Sequence, residues 1–188
     1  MTNLHVLVNP WNPCTFTPIL RSVHIYFHCT PADSPKRCMQ PEAACALEAL
    51  VAAAQKDNCH IVGISGYRSV SRQQEIFFQS LYTKGVAHTR SYIALPGYSE
   101  HHTGLAMDVS SPQCNYELEV CFEQTKEFKW LREHSACFGF ILRYPKNKEN
   151  ITGYHYEPWH YRYVGTHLAK FLAAKHLTLE EYLQKQLV

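Results

Sequence analysis

The stretch Ser99-Glu100-His101-His102-Thr103-Gly104-Leu105-Ala106-Met107-Asp108 decides how the rest of the chain is read. His101 and Asp108 stand seven residues apart, on either side of a glycine, at the entry to an apolar run. From Leu105 to Ser110 the residues alternate. Leu105, Met107 and Val109 face one side of a strand, and Ala106, Asp108 and Ser110 face the other. Asp108 therefore points away from the apolar side chains, small Ala106 leaves room beside it, and Gly104 permits a bend that returns His101 toward it. Further on, Glu157-Pro158-Trp159-His160 adds a carboxylate and an imidazole. In a regular strand Glu157 and His160 point to opposite faces; Pro158 argues for a break or bulge that lets them converge. Two histidines, an aspartate and a spare glutamate are the donor set of a hydrolytic zinc site. Three protein ligands leave a position for water, and a non-ligand carboxylate takes its proton. His101 and His102 compete for one of the imidazole positions. On an extended segment they point apart, so one of them binds.

Upstream, Pro41-Glu42 opens the clearest helix, with apolar residues at Ala43, Ala46, Leu47, Leu50, Val51 and Ala54. Ile61 to Ser65 reads as a buried strand. It leads through the turn Gly66-Tyr67-Arg68-Ser69 into a helix from Ser71 to about Tyr82. Arg68 thus sits at a strand-to-helix junction, where side chains project into sites, whereas Gln73 reads as an exposed helix residue. Lys84 to Pro96 reads as loop and a short extended piece, closed by the turn Leu95-Pro96-Gly97-Tyr98. Residues 4–8 and the run Val23 to Phe27 read as short strands in an otherwise irregular segment. The pair His24 and His28 has helical metal-ligand spacing, but its β-like aromatic surroundings disfavour that use. Downstream the pattern gives a helix over 123–132, a strand over 138–144, an exposed loop over 145–150 and a strand over 153–156. The capping box Thr178-Leu179-Glu180-Glu181 opens a last helix.

The 188 residues, 46% apolar and 13% aromatic, suit one domain, with 1–40 as an irregular N-terminal segment packed on it. A formal net charge of +2 without a basic run offers nothing to nucleic acid or to lipid. There is no apolar run near the roughly 18 residues of a membrane span. The N-terminus carries no Lys or Arg before Arg21 and is interrupted by Pro10 and Pro13, unlike a secretory leader, so the expected location is cytoplasmic. Eight cysteines without a CxxC pair argue against a thiolate zinc knuckle. Free thiols, many of them buried, are expected. The oligomeric state is open.

Ser99-x-His101-x-x-Gly104-x-Ala106-x-Asp108, with Glu157-x-x-His160 and Ser65-Gly66-Tyr67-Arg68-Ser69, resembles the zinc D-Ala-D-Ala carboxypeptidases of the VanY family. That family shares its zinc core with the VanX dipeptidases and the hedgehog signalling domain, and the two-activity VanXY enzymes are the nearest in pattern. Ala94 to Gly97, Gly139 to Pro145, Ile151 to Gly165 and Thr178 to Tyr182 resemble that group as well, so most of 41–183 is covered.

The resemblance implies an α+β fold, a small mostly antiparallel sheet flanked by helices. It implies one catalytic Zn2+ held by His101, Asp108 and His160, which leaves His102 as a non-ligand. Glu157 becomes the general base and Arg68 the partner of the developing oxyanion. Ser99 and Gln73 help to bind the substrate, and Ser65, Tyr67 and Trp159 are places to look for further contacts. The implied substrates are peptidoglycan precursors ending in D-Ala-D-Ala, with the free dipeptide as a second substrate and a link to glycopeptide resistance. An L,D-carboxypeptidase acting on tetrapeptide stems has the same zinc set, and a hedgehog-like module keeps the metal without turnover.

Overall fold

The computed structural model describes residues 4–186. An irregular N-terminal segment runs to the two-residue strand β1 (Arg21–Ser22), which pairs antiparallel with β2 (Cys38–Met39). Residues 4–8 are not a strand. Asn9 instead folds back on Asn12, and the Leu4 and Val6 carbonyls accept from the Arg162 guanidinium. Of the expected strand Val23 to Phe27, the β pairing amounts to a single parallel bridge between Phe27 and Gly63.

Helix α1 spans Pro41–Lys56, with Pro41 in its first turn and Glu42 at the positive end of the dipole. It buries Ala43, Leu47, Leu50, Val51 and Ala54 against the sheet. Full burial of one leucine is worth roughly 2 kcal/mol, so packing, not propensity, holds this helix in place. Strand β3 (Val62–Ser65) follows, then α2 (Val70–Tyr92), capped by the Ser69 hydroxyl on the Arg72 N–H. The helical run continues ten residues beyond the expected Tyr82 because Gly85, at φ 80°, absorbs a kink and the chain re-enters helix after it. Part of the expected loop 84–96 is therefore helical.

Strand β4 (Ala106–Ser110) is buried along its whole length. Beyond it come α3 (Lys126–His134), β5 (Phe140–Leu142), the short α4 (Glu149–Thr152), β6 (His160–Tyr163), α5 (Thr166–Lys175) and α6 (Leu179–Gln186). Helix α4 lies at the end of the expected loop 145–150. Residues 153–156, expected as strand, form no ladder. Gly153 caps α4 at φ 79°, and the strand begins at His160. Helix α5, which the sequence reading does not anticipate, seals the far side through Leu168, Ala169 and Leu172 against Ile141 and Leu179. The expected capping box on α6 forms. Thr178 N–H donates to the Glu181 carboxylate and Glu181 N–H to the Thr178 hydroxyl.

The sheet is antiparallel throughout, in the order β3-β4-β6-β5. Its register places Ser65 opposite Asp108 and Asp108 opposite His160, so three polar side chains line up across three strands. Met107, Val109, Leu105 and Tyr161 enter the core with α1 instead. The alternation read from the sequence is the alternation of the sheet.

Cys114 and Cys121 form a disulfide across a seven-residue separation, a correction to the all-thiol expectation, and the other six cysteines are free. The bridge closes the loop that carries Leu118, Glu119 and Val120 to the rim of a cleft. Replacing both cysteines by serine is expected to lower stability by about 2 kcal/mol, the entropy of so short a loop. Denaturant unfolding with and without the bridge measures this, and thiol titration of the unfolded protein checks that six thiols are free.

Candidate active site

Ser99 opens a turn of 3-10 helix, Glu100–Thr103, and its hydroxyl accepts from the His101 N–H at 3.4 Å. Gly104 ends that turn at φ 67°, and a Cβ there would meet Leu20 Cδ2 at 2.7 Å. This bend, expected from the sequence, sets His101 above β4. His101 Nδ1 lies 2.7 Å from the Gly66 carbonyl and Nε2 lies 3.2 Å from Asp108 Oδ2. Asp108 Oδ1 lies 3.0 Å from His160 Nδ1. The three residues are buried, and their donor atoms all fall within 4.8 Å of one another. An N, N, O set with one imidazole nitrogen anchored on a carbonyl suits zinc.

His102 stands apart from this trio. Its Nδ1 lies 2.7 Å from the Arg68 carbonyl, and its Nε2 accepts from the Gly97 N–H at 3.1 Å. With both nitrogens engaged, it braces the loop and has no lone pair to give. The pair His24 and His28 is not brought to a metal site either, since the His28 ring stacks on Tyr116 at 3.8 Å.

Glu157 and His160 converge because residues 157–160 form a turn, with His160 N–H on the Glu157 carbonyl at 3.3 Å. Pro158 has no N–H to give to a ladder, as the sequence suggested. Glu157 Oε2 reaches to 3.8 Å from His160 Nδ1. Burial raises the Glu157 pKa to about 8, with His160 and Arg68 opposing the shift and Asp108 and Glu100 reinforcing it. Burial acts against ionised Asp108, but His101 and His160 hold it well below the usual carboxylate range. Burial also lowers His101. It works against charge on His160, yet the Asp108 and Glu100 carboxylates raise that imidazole to about 9. Two carboxylates a few ångströms apart are thus driven in opposite directions, the pattern that separates a fixed anion from a proton carrier.

Arg68 lies across the site, its guanidinium 4.0 Å from Asp108 Oδ2. Nη1 donates to Gln73 Oε1 at 2.9 Å and Nη2 to the Ser65 hydroxyl at 3.3 Å. Gln73, expected at the surface, is buried, and its amide donates to the Ala94 carbonyl at 2.7 Å. Ser65 stands behind Arg68. Tyr67 is tied by its backbone N–H to the Cys38 carbonyl. Neither of these two is part of the cleft wall, and Ser65 reaches the cleft through Arg68. Arg68, Gln73, Ser99 and Trp159 do line it.

The cleft holds about 590 Å³. It continues past the buried trio to Lys84, His88, Tyr92 and His155, where the Tyr92 ring stacks on His88 and His155, each at 4.8 Å. Sequence reasoning missed this outer wall, and it missed Glu100, whose Oε2 lies 3.3 Å from His160 Nε2. Arg143 and Arg162 bind the other oxygen of that carboxylate. The available signal was a pair of arginines among apolar and aromatic residues, Arg143 just after β5 and Arg162 within β6, since a buried charge requires a partner.

The family described as D-alanyl-D-alanine carboxypeptidase (VanY) matches residues 36–166. The "Putative carboxypeptidase YodJ" of Bacillus subtilis (strain 168) is 48% identical over 150 residues, 80% of this chain; the match spans 55% of that relative's length. The bifunctional D-Ala-D-Ala dipeptidase and carboxypeptidase VanXYC of Enterococcus gallinarum is 40% identical over 148 residues, covering 77% of this chain and 76% of that one. Among solved structures, the LdcB LD-carboxypeptidase superposes with a TM-score of 0.91 at 42% identity, covering 98% of this chain and 87% of its own. A mutant of the vancomycin resistance D,D-pentapeptidase VanY in complex with Zn(II) superposes with a TM-score of 0.79 at 34% identity, covering 97% and 99%.

Proposed function

The chain belongs to the D-alanyl-D-alanine carboxypeptidase (VanY) family, and we propose that residues 1–188 act as one zinc-dependent domain that removes the terminal D-alanine from peptidoglycan stem peptides. His101, Asp108 and His160 would hold the ion. The observation that carries the reading is geometric: a non-ligand carboxylate, Glu157, lies 3.8 Å from His160 Nδ1 and the Arg68 guanidinium lies 4.0 Å from Asp108 Oδ2, so a base and a cation adjoin the three residues. Bound zinc supplies an electrophile that acidifies water and polarises the scissile carbonyl. Glu157 accepts the proton of the attacking water and returns it to the departing amine of D-alanine, so that the peptide C–N bond breaks with no net change at the carboxylate. Arg68, held by Gln73 and Ser65, faces the oxygen on which negative charge develops. Ser99 and Trp159 line the path of the substrate.

The outer wall of the cleft favours long substrates. Lys84, His88, Tyr92 and His155 line the same cleft as the three would-be ligands, and we take them as the contacts that a stem peptide has and a dipeptide is too short to use in full. This supports pentapeptide over free D-Ala-D-Ala as substrate. A second reading, L,D-carboxypeptidase, is favoured by the 42% identity and TM-score of 0.91 to LdcB. Release of D-alanine by the zinc-loaded protein is expected with pentapeptide, at a kcat/KM at least tenfold above that of the dipeptide, the order of one lost contact of about 1.4 kcal/mol. Turnover of the tetrapeptide alone moves the enzyme to the L,D class. A zinc-loaded protein inert on all three peptides returns the chain to a binding role.

A further inference from the structure

We infer that Glu100 is a positioning residue that fixes the ring of His160, and that its carboxylate is aimed by a buried ion network reaching both ends of the chain. The inference rests on His160 being a metal ligand through Nδ1. Its observations are geometric. The Glu100 side chain has no exposed surface. Its Oε1 accepts from Arg143 Nε at 2.7 Å and from Arg162 Nη1 at 2.8 Å, which leaves Oε2 facing His160 Nε2 at 3.3 Å. Arg143 continues the chain, its two terminal nitrogens on the two oxygens of Glu180 of α6 at 2.8 and 2.6 Å. Glu180 also accepts from the Asn9 amide at 3.2 Å, and Arg162 Nη2 donates to the Leu4 and Val6 carbonyls.

Two guanidinium groups and two carboxylates balance, and they satisfy one another where water does not reach. Breaking such a set strands a buried charge, so its members hold their places. The consequence falls on His160. A carboxylate opposite Nε2 keeps the proton on that nitrogen and leaves the Nδ1 lone pair for the ion that Nδ1 would share with Asp108 and His101. It does for His160 what the Gly66 carbonyl does for His101. Loss of such a partner typically weakens metal binding by 10–100-fold.

Glu100→Gln makes the test. The amide can satisfy the two arginines with its oxygen, but it then presents N–H to a ring nitrogen that already carries a proton. Zinc affinity, measured by competition with a chromophoric chelator, is expected to fall by about 10–100-fold. Glu180→Gln is expected to lower the melting temperature and leave zinc affinity within twofold, because it breaks the same network one step away from the ring. Equal losses of affinity in the two variants would reduce Glu100 to a structural role and overturn the inference. So would unchanged affinity in a folded Glu100→Gln protein. The wild type gives a reading that needs no variant. In the zinc-loaded protein, ring nitrogen NMR should find the His160 proton on Nε2, and a proton on Nδ1 overturns the proposal. His160→Ala separates the premise from the inference, since full zinc affinity there sinks the metal assignment and everything built on it. None of these readouts depends on turnover, so an error in the assigned substrate leaves them standing.

Discussion

Glu157→Gln is expected to lower kcat on the best stem peptide by about 10²- to 10⁴-fold while the protein still binds one zinc ion. The amide keeps the size and hydrogen bonding of the carboxylate but cannot take a proton. Burial raises the Glu157 pKa above the ordinary carboxylate range, the direction that suits a base that must also act as an acid. Its Oε2 lies 3.8 Å from His160 Nδ1, near enough to reach a water held at His101, Asp108 and His160. Zinc content by atomic emission and kcat by D-alanine release are measured on the same preparation. A variant that loads zinc and retains more than a tenth of the activity removes Glu157 from the proton path. A variant that fails to load zinc makes it part of the metal site.

The parts of this protein that were legible in the sequence are those set by local rules. Alternation over Leu105 to Ser110 put Asp108 opposite the core residues, and Gly104 marked the bend that returns His101. Pro41 and Glu42 marked the start of α1, and Pro158 marked the break that joins Glu157 to His160. What stayed hidden depends on distant pairing. Gln73 reads as a surface residue until Arg68 and the Ala94 carbonyl close over it. Glu100 stands within the deciding stretch, but its meaning comes from Arg143 and Arg162, 43 and 62 residues away. Local composition also misled. Gly153 to Tyr156 is aromatic enough for a strand, but Gly153 at positive φ serves to end α4. The kink at Gly85 let α2 continue where polar residues suggested a loop.

Arg68→Met is the second decisive substitution, with an expected loss of about 10²- to 10³-fold in kcat and a small change in KM, as for removal of one oxyanion donor. Arg68 is held on two sides, by Gln73 at 2.9 Å and Ser65 at 3.3 Å, and its side chain is 18% exposed at the cleft. Burial depresses its pKa, against the pull of Asp108 and Glu157, but a guanidinium remains charged at any working pH. Such a donor gains most when charge appears on the substrate, so the loss belongs in kcat. The folded state should tolerate the change. Asp108 keeps His101 and His160 as partners, and methionine fills much of the same space without a charge to desolvate. An increase in KM with kcat intact would place Arg68 on the substrate's terminal carboxylate instead. Arg68→Lys distinguishes the two, because a point charge serves a carboxylate better than it reproduces a planar two-nitrogen donor braced by Gln73.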